Sequence, residues 1–142
     1  MATRSQTMQV EGLKELRAML KGIAPKETNN AMRAATFAMA KEFVLPALQR
    51  RVKEDTGDLK KTLLAVRRRG QPGVHVSEVR GGRGAPYMLM LEFGTSRTRA
   101  QPFIVPTTEE LRPKQAEIYR EQFFEKLRKA LEREARRKAR TA

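Results

Sequence analysis

The stretch Tyr87–Pro106, YMLMLEFGTSRTRAQPFIVP, constrains the fold of this chain more than any other. Met88 to Leu91 is its densest apolar run, followed at once by Glu92, Phe93, Gly94 and Thr95. A run this short predicts a strand rather than a helix, and Gly94 punctuates its end. A polar loop carrying Arg97 and Arg99 comes next, then a second apolar run, Phe103 to Val105, bracketed by Pro102 and Pro106. The expected path is a central strand that opens into a loop and re-enters the fold at Pro102. On that reading Gly94 permits a sharp change of direction, the prolines fix the return, and Phe103 anchors the loop in the core.

The rest of the chain supplies partners for this segment. Leu13, Leu16, Leu20 and Ile23 follow a helical spacing over 11–23, which Pro25 ends. A second helix is expected from Thr28 or Asn29, either of which can cap, to about Val52, kinked at Pro46. Thr56-Gly57-Asp58-Leu59 is a turn signal with a short helical turn after it. Leu64 and Val66, then Val74, Val76 and Val79, flank Gln71-Pro72-Gly73 and predict a hairpin. Arg80 to Pro86 is a glycine-rich loop without the Lys-Ser/Thr pair of a phosphate-binding loop. Thr107 and Glu110 have capping-box spacing for a last helix, which Pro113 interrupts early. Its apolar stripe is Ala116, Tyr119, Phe123, Leu127 and Leu131, with Phe124 at the flank.

These elements predict an α+β fold. A three- to four-stranded antiparallel sheet is expected to pack against a kinked N-terminal helix pair and a long C-terminal helix. At 142 residues the chain is expected to be one domain over 1–142, with 1–8 loose and 132–142 a basic helical extension.

Composition narrows the chemistry. Cysteine is absent and His75 is the single histidine, so neither a thiolate nucleophile nor a zinc ligand set can be assembled. His75 and the nearby Glu78 are expected on opposite strand faces, which does not make an acid–base pair. No catalytic residues, metal or cofactor are therefore expected. No apolar window reaches membrane-spanning length, and no leader segment is expected at the start. A net charge of +14 favours polyanions or acidic protein surfaces. The basic groups concentrate at Arg67, Arg68 and Arg69, at Arg97 and Arg99, and in the segment from Lys126, where eight basic side chains face two acidic ones. Aromatic side chains do not interleave with them, which argues against base-reading recognition but leaves backbone attraction open.

Taken in order, several of these residues resemble a known pattern. Thr56-Gly57-x-Leu59, a hairpin, Tyr87 leading to Glu92-Phe93-Gly94-Thr95, then Pro102-Phe103-x-x-Pro106 and a long final helix resemble the small neck or tail-completion proteins of long-tailed bacteriophages. The likeness spans about Gly12 to Leu131. The short arginine-rich loop, and Thr107-Thr108 where alanine is more usual, depart from the commonest form. The resemblance implies structural work at the head–tail junction of the virion, after assembly in the host cytoplasm. It implies rings of identical subunits, hexameric by preference or dodecameric. Neighbours would be a head-closure or connector protein and a tail terminator or tail tube protein, with packaged DNA passing near and no membrane involved. Tail-terminator and head-closure roles are the nearest alternatives, and a non-specific nucleic-acid-binding protein is a further one. Candidate contacts on this reading are Arg97, Arg99, Lys126, Arg133, Arg136 and Arg137 for protein neighbours, and Arg67, Arg68, Arg69 and Arg83 toward a DNA channel.

Overall fold

A computed structural model describes residues 25–52, 57–82 and 85–142. The helix expected over 11–23, the loose 1–8 segment, Thr56 and Arg83 lie outside the described residues.

The first described helix, α1 (Pro25–Ala38), starts earlier than Thr28, because Pro25 suits a first helical position where no amide is needed. Thr28, Ala31, Ala35 and Ala38 form its buried face, and these small side chains let another helix approach closely. The helical path continues through a π-turn, Met39–Val44, into α2 (Leu45–Arg51). Leu45 donates to the carbonyl of Ala40, an i→i−5 bond, so the register widens just before Pro46. Pro46 follows within this continuous path, where it has no amide to give to the preceding turn, and the widened π register lies next to that gap. The path expected to kink at Pro46 is thus a continuous helical run with a π-turn.

A short helix, α3 (Gly57–Thr62), leads directly into β1 (Leu63–Arg68), which pairs antiparallel with β2 (Val76–Gly81). Gln71-Pro72-Gly73-Val74 closes the hairpin tip: Val74 N–H donates to Gln71 C=O at 2.9 Å and Gly73 has φ +78°. Proline second and a left-handed glycine third is the type II arrangement. Leu63, Ala65 and Arg67 share the inner face with their cross-strand partners Gly81, Val79 and Ser77.

The sheet stops at two strands among the described residues, not three or four. The segment expected to be its central strand is a helix, α4 (Ala85–Phe93). The segment APYMLMLEF contains no β-branched residue, while Met, Leu and Glu are strong helix formers. A short apolar run carries no period of its own, so propensity and the cap decide its conformation. Pro86 falls in the first turn, and Gly94, at φ +75°, is the left-handed residue that ends the helix.

After the loop come α5 (Ile104–Leu111), a single 3₁₀ turn around Pro113 (Arg112–Lys114) and α6 (Gln115–Thr141). The last helix has 27 residues, about 40 Å at the usual rise. Two apolar clusters hold the elements together. Leu48, Val52, Leu59, Leu63, Met88, Leu91 and Phe103 join α2, α3, β1, α4 and the start of α5. Ala31 and Ala35 of α1 meet Phe123 and Leu127 of α6, with Met32 and Tyr119 packed alongside. Each large side chain buried here is worth about 1.5–3 kcal/mol. Beyond Leu127, α6 has no buried residue, and Leu131 and Phe124 stay exposed.

Candidate functional site

The corner between α4 and α5 is built around Glu92, which is only 5% exposed. Its Oε2 accepts the amides of Phe103 at 2.7 Å and Ile104 at 2.8 Å, and its Oε1 accepts that of Val105 at 2.9 Å. These are the first free donors of α5. The next residue, Pro106, has no amide, and Thr107 N–H makes the first intrahelical bond, to Phe103 C=O. The helix start is thereby satisfied in full by one carboxylate and one proline, and negative charge is favourable at that end. Thr107, expected to cap this helix, is instead buried inside it, its hydroxyl donating to Phe103 C=O at 2.6 Å. Both carboxylate oxygens of Glu92 are thus committed to backbone, not to the arginines of the loop.

The loop itself closes on the end of α4. Gln101 N–H donates to the carbonyl of Leu91 at 2.7 Å, satisfying an orphan acceptor. Thr95 Oγ1 accepts the amides of Arg97 and Thr98, and Thr95 N–H donates to Thr98 C=O. At Gly94 a Cβ would stand 2.7 Å from the Ala100 nitrogen and 2.9 Å from the Thr98 oxygen. Backbone conformation and lack of space both require glycine there. Phe103 is 2% exposed and sits in the first cluster with Leu59 and Leu91.

Outward from this corner, α4 presents apolar side chains to solvent. Tyr87, Leu89, Met90 and Phe93 are 46%, 58%, 51% and 73% exposed, while Met88 and Leu91 fill the core. A helix apolar all round is normally buried on all sides. Arg97 and Arg99 are exposed in the loop that follows.

A second cluster lies at the other end of the hairpin. Arg33 and Asn29 of α1 face Arg67, Arg68, Arg69, His75 and Ser77 across a cleft of about 490 Å³. The Arg67 guanidinium lies 4.6 Å from the centre of the Phe37 ring, a cation–π contact that fixes its direction. His75 Nε2 and Asn29 Oδ1 are 2.8 Å apart, tying the hairpin tip to α1. Arg68 pairs with Glu78 at 3.2 Å.

Of the residues singled out in the sequence, Glu92, Gly94, Thr95, Phe103 and Pro106 are brought together in one corner with Leu59 beneath it. Gly57 opens α3, and Pro102 is exposed on the loop before Phe103. Tyr87 and Phe93 face outward. Arg67, Arg68 and Arg69 converge with Arg33 and Asn29, which sequence reasoning did not connect to them. Leu89 and Met90, within the run expected as a central strand, lie at the surface of α4. On α6, Arg133, Arg136 and Arg137 are exposed and Lys126 is half-buried. Ion pairs Glu125–Lys129 and Glu134–Lys138 run along its length. Arg51 of α2 hydrogen-bonds Glu110 of α5 and holds that carboxyl below its usual range, while Lys129 does the same for Glu125.

Among the described residues no group of three or more His, Asp or Glu side chains converges to hold a metal, and no helix is long and apolar enough to cross a membrane. Comparison with family models, with curated proteins and with solved structures finds no match to this chain.

Proposed function

We propose that this chain is a structural component of the head–tail junction of a long-tailed bacteriophage, a neck or tail-completion protein that works by docking in a ring. The observation that carries the reading is the outward face of α4. Four large apolar side chains stand in solvent on a nine-residue helix that leads straight into the Arg97/Arg99 loop. A patch of this kind beside charged side chains has the composition of a protein–protein contact: an apolar centre with a polar rim. The corner beneath it is held by backbone-directed bonds, so the patch is presented on a rigid base.

A complementary surface exists on the same chain. Glu117, Glu121 and Phe124 share one exposed side of α6 at spacings of four and three residues, offering acids to the two arginines and an aromatic ring to the apolar face. Contact between two different surfaces of identical subunits is the kind that closes into a ring. The test is a cryo-electron microscopy reconstruction of the neck of the virus that encodes it. Density for this chain in a ring between head and tail, with α4 against a neighbour, is the expected result. Absence of the protein from purified virions and from free tails would refute the reading.

A further inference from the structure

The arginine cleft at the hairpin tip has no part in the docking surface on α4, and its composition calls for a ligand. Arginines from two separate elements line it, Arg33 of α1 with Arg67 and Arg69 of the hairpin, while Arg68 turns to Glu78 on the other sheet face, and no carboxylate is among its lining residues. Glu78, on β2, reaches only Arg68. Like charges held close together repel, and an anion bound between them relieves that repulsion. Two features direct the charges into the cleft rather than into bulk solvent. Arg67 is stacked on Phe37, on the inner face of the sheet, and the His75–Asn29 contact fastens the tip of the hairpin against α1.

We infer that this cleft is a binding site for the phosphate backbone of duplex DNA. Guanidinium groups match phosphate oxygens with paired N–H donors, and Asn29 and Ser77 add neutral polar groups at the rim. No Phe, Tyr or Trp lines the cleft, so it has no platform on which unpaired bases would stack. Contacts confined to phosphates position a protein on DNA without reading sequence. The inference is independent of the ring: the cleft is complete within one subunit.

The test is fluorescence anisotropy of the full-length protein with a labelled duplex, titrated between 50 and 200 mM salt. Arg33 and Arg69 are exposed and hold no ion pair among the described residues, so Arg33→Gln/Arg69→Gln should keep the fold, checked by circular dichroism. Each lost phosphate contact lowers the salt slope by about 0.9. The double variant should therefore lose about 1.8 from the slope, and the fourfold salt increase should cost it about 12-fold less affinity than it costs the parent. Arg136→Gln/Arg137→Gln removes the same charge from the exposed end of α6 and should change the slope by less than half as much. A duplex of unrelated sequence should bind equally well, and polyglutamate of matched charge should compete only weakly. Equal slopes for the two double variants, or an unchanged slope for the cleft variant, would overturn the site. Competition by polyglutamate as strong as that by unlabelled duplex would overturn DNA as its ligand in favour of an acidic protein.

Discussion

Replacing Glu92 by glutamine tests whether the α4–α5 corner is held as described. The carboxylate accepts three backbone amides at 2.7–2.9 Å while nearly excluded from solvent. Glutamine has one acceptor oxygen. If that oxygen keeps the amides of Phe103 and Ile104, its NH₂ group meets the Val105 amide, donor against donor. One bond is lost outright, worth about 1–3 kcal/mol for a buried donor left unsatisfied, and two lose charge assistance at about 1 kcal/mol each. The total is on the order of 3–5 kcal/mol, a large fraction of the 5–15 kcal/mol that usually separates folded from unfolded chains. At about 3 °C per kcal/mol for a chain of this size, the melting temperature should fall by roughly 10–15 °C. Urea denaturation followed at 222 nm gives the free energy, and thermal melting gives the shift. Were Glu92 a surface pairing group, its neutralisation would cost under about 1 kcal/mol. A Glu92→Gln variant within 0.5 kcal/mol of the parent, to order of magnitude, would refute the cap.

Other outcomes follow from the same structure. Gly94→Ala forces a left-handed conformation costing about 1–2 kcal/mol and drives a methyl group to 2.7 Å from the Ala100 nitrogen, so it should destabilise by more than that strain alone. Chemical denaturation measures it, and a loss below about 1 kcal/mol would contradict the tight approach. Phe93→Asp, on a side chain 73% exposed, should leave the isolated protein's stability within about 0.5 kcal/mol; if the proposed docking role holds, it should also abolish incorporation into particles, read by immunoblot of purified virions. Arg51 lowers the Glu110 pKa in the folded state, so that pair stabilises above the ordinary carboxylate pKa and its contribution is lost as pH falls through the lowered value. Arg51→Gln should therefore shrink the drop in urea midpoint between pH 6 and about pH 3, and high salt should shrink it too, since both side chains are solvent-accessible.

Where the physics is local, the sequence was readable. The Gln71-Pro72-Gly73 turn, the alternation on either side of it and the long last helix each depend on residues a few positions apart. The strand expected at Tyr87–Leu91 is a helix because a run of Met and Leu has no period of its own, and neither its length nor a glycine at its end separates a strand from a short capped helix. The absence of Val, Ile and Thr, with glycine at the end, was the signal for a capped helix. The role of Glu92 was hidden for another reason: its partners lie eleven to thirteen residues on, and a nearer capping signal, Thr107 with Glu110, competed for the same helix. The arginine cleft was half-readable. Arg67, Arg68 and Arg69 stood out as a run, but Arg33 joins them only because the hairpin folds back on α1.

The corner also separates two kinds of information carried by the Glu92-Phe93-Gly94-Thr95 and Pro102-Phe103-x-x-Pro106 segments. Glu92 supplies acceptors for three helix-start donors, and Pro106 removes the need for a fourth. Gly94 permits the turn that brings the carboxylate into place, and Thr95 closes the loop between them. Phe103 pins the junction to the core. Each of these residues answers a requirement of the others, so their joint spacing is a statement about how two helices are joined, whatever the chain does. Phe93 answers none of these requirements: it makes no contact that the corner needs and stands most exposed of the large apolar residues described. Tyr87, Leu89 and Met90 share that position. The docking hypothesis therefore rests on the residues that the architecture of the corner leaves unexplained, and Glu92→Gln and Phe93→Asp divide the two roles: the first should lower stability in the isolated chain, the second should be silent there and felt only in assembly.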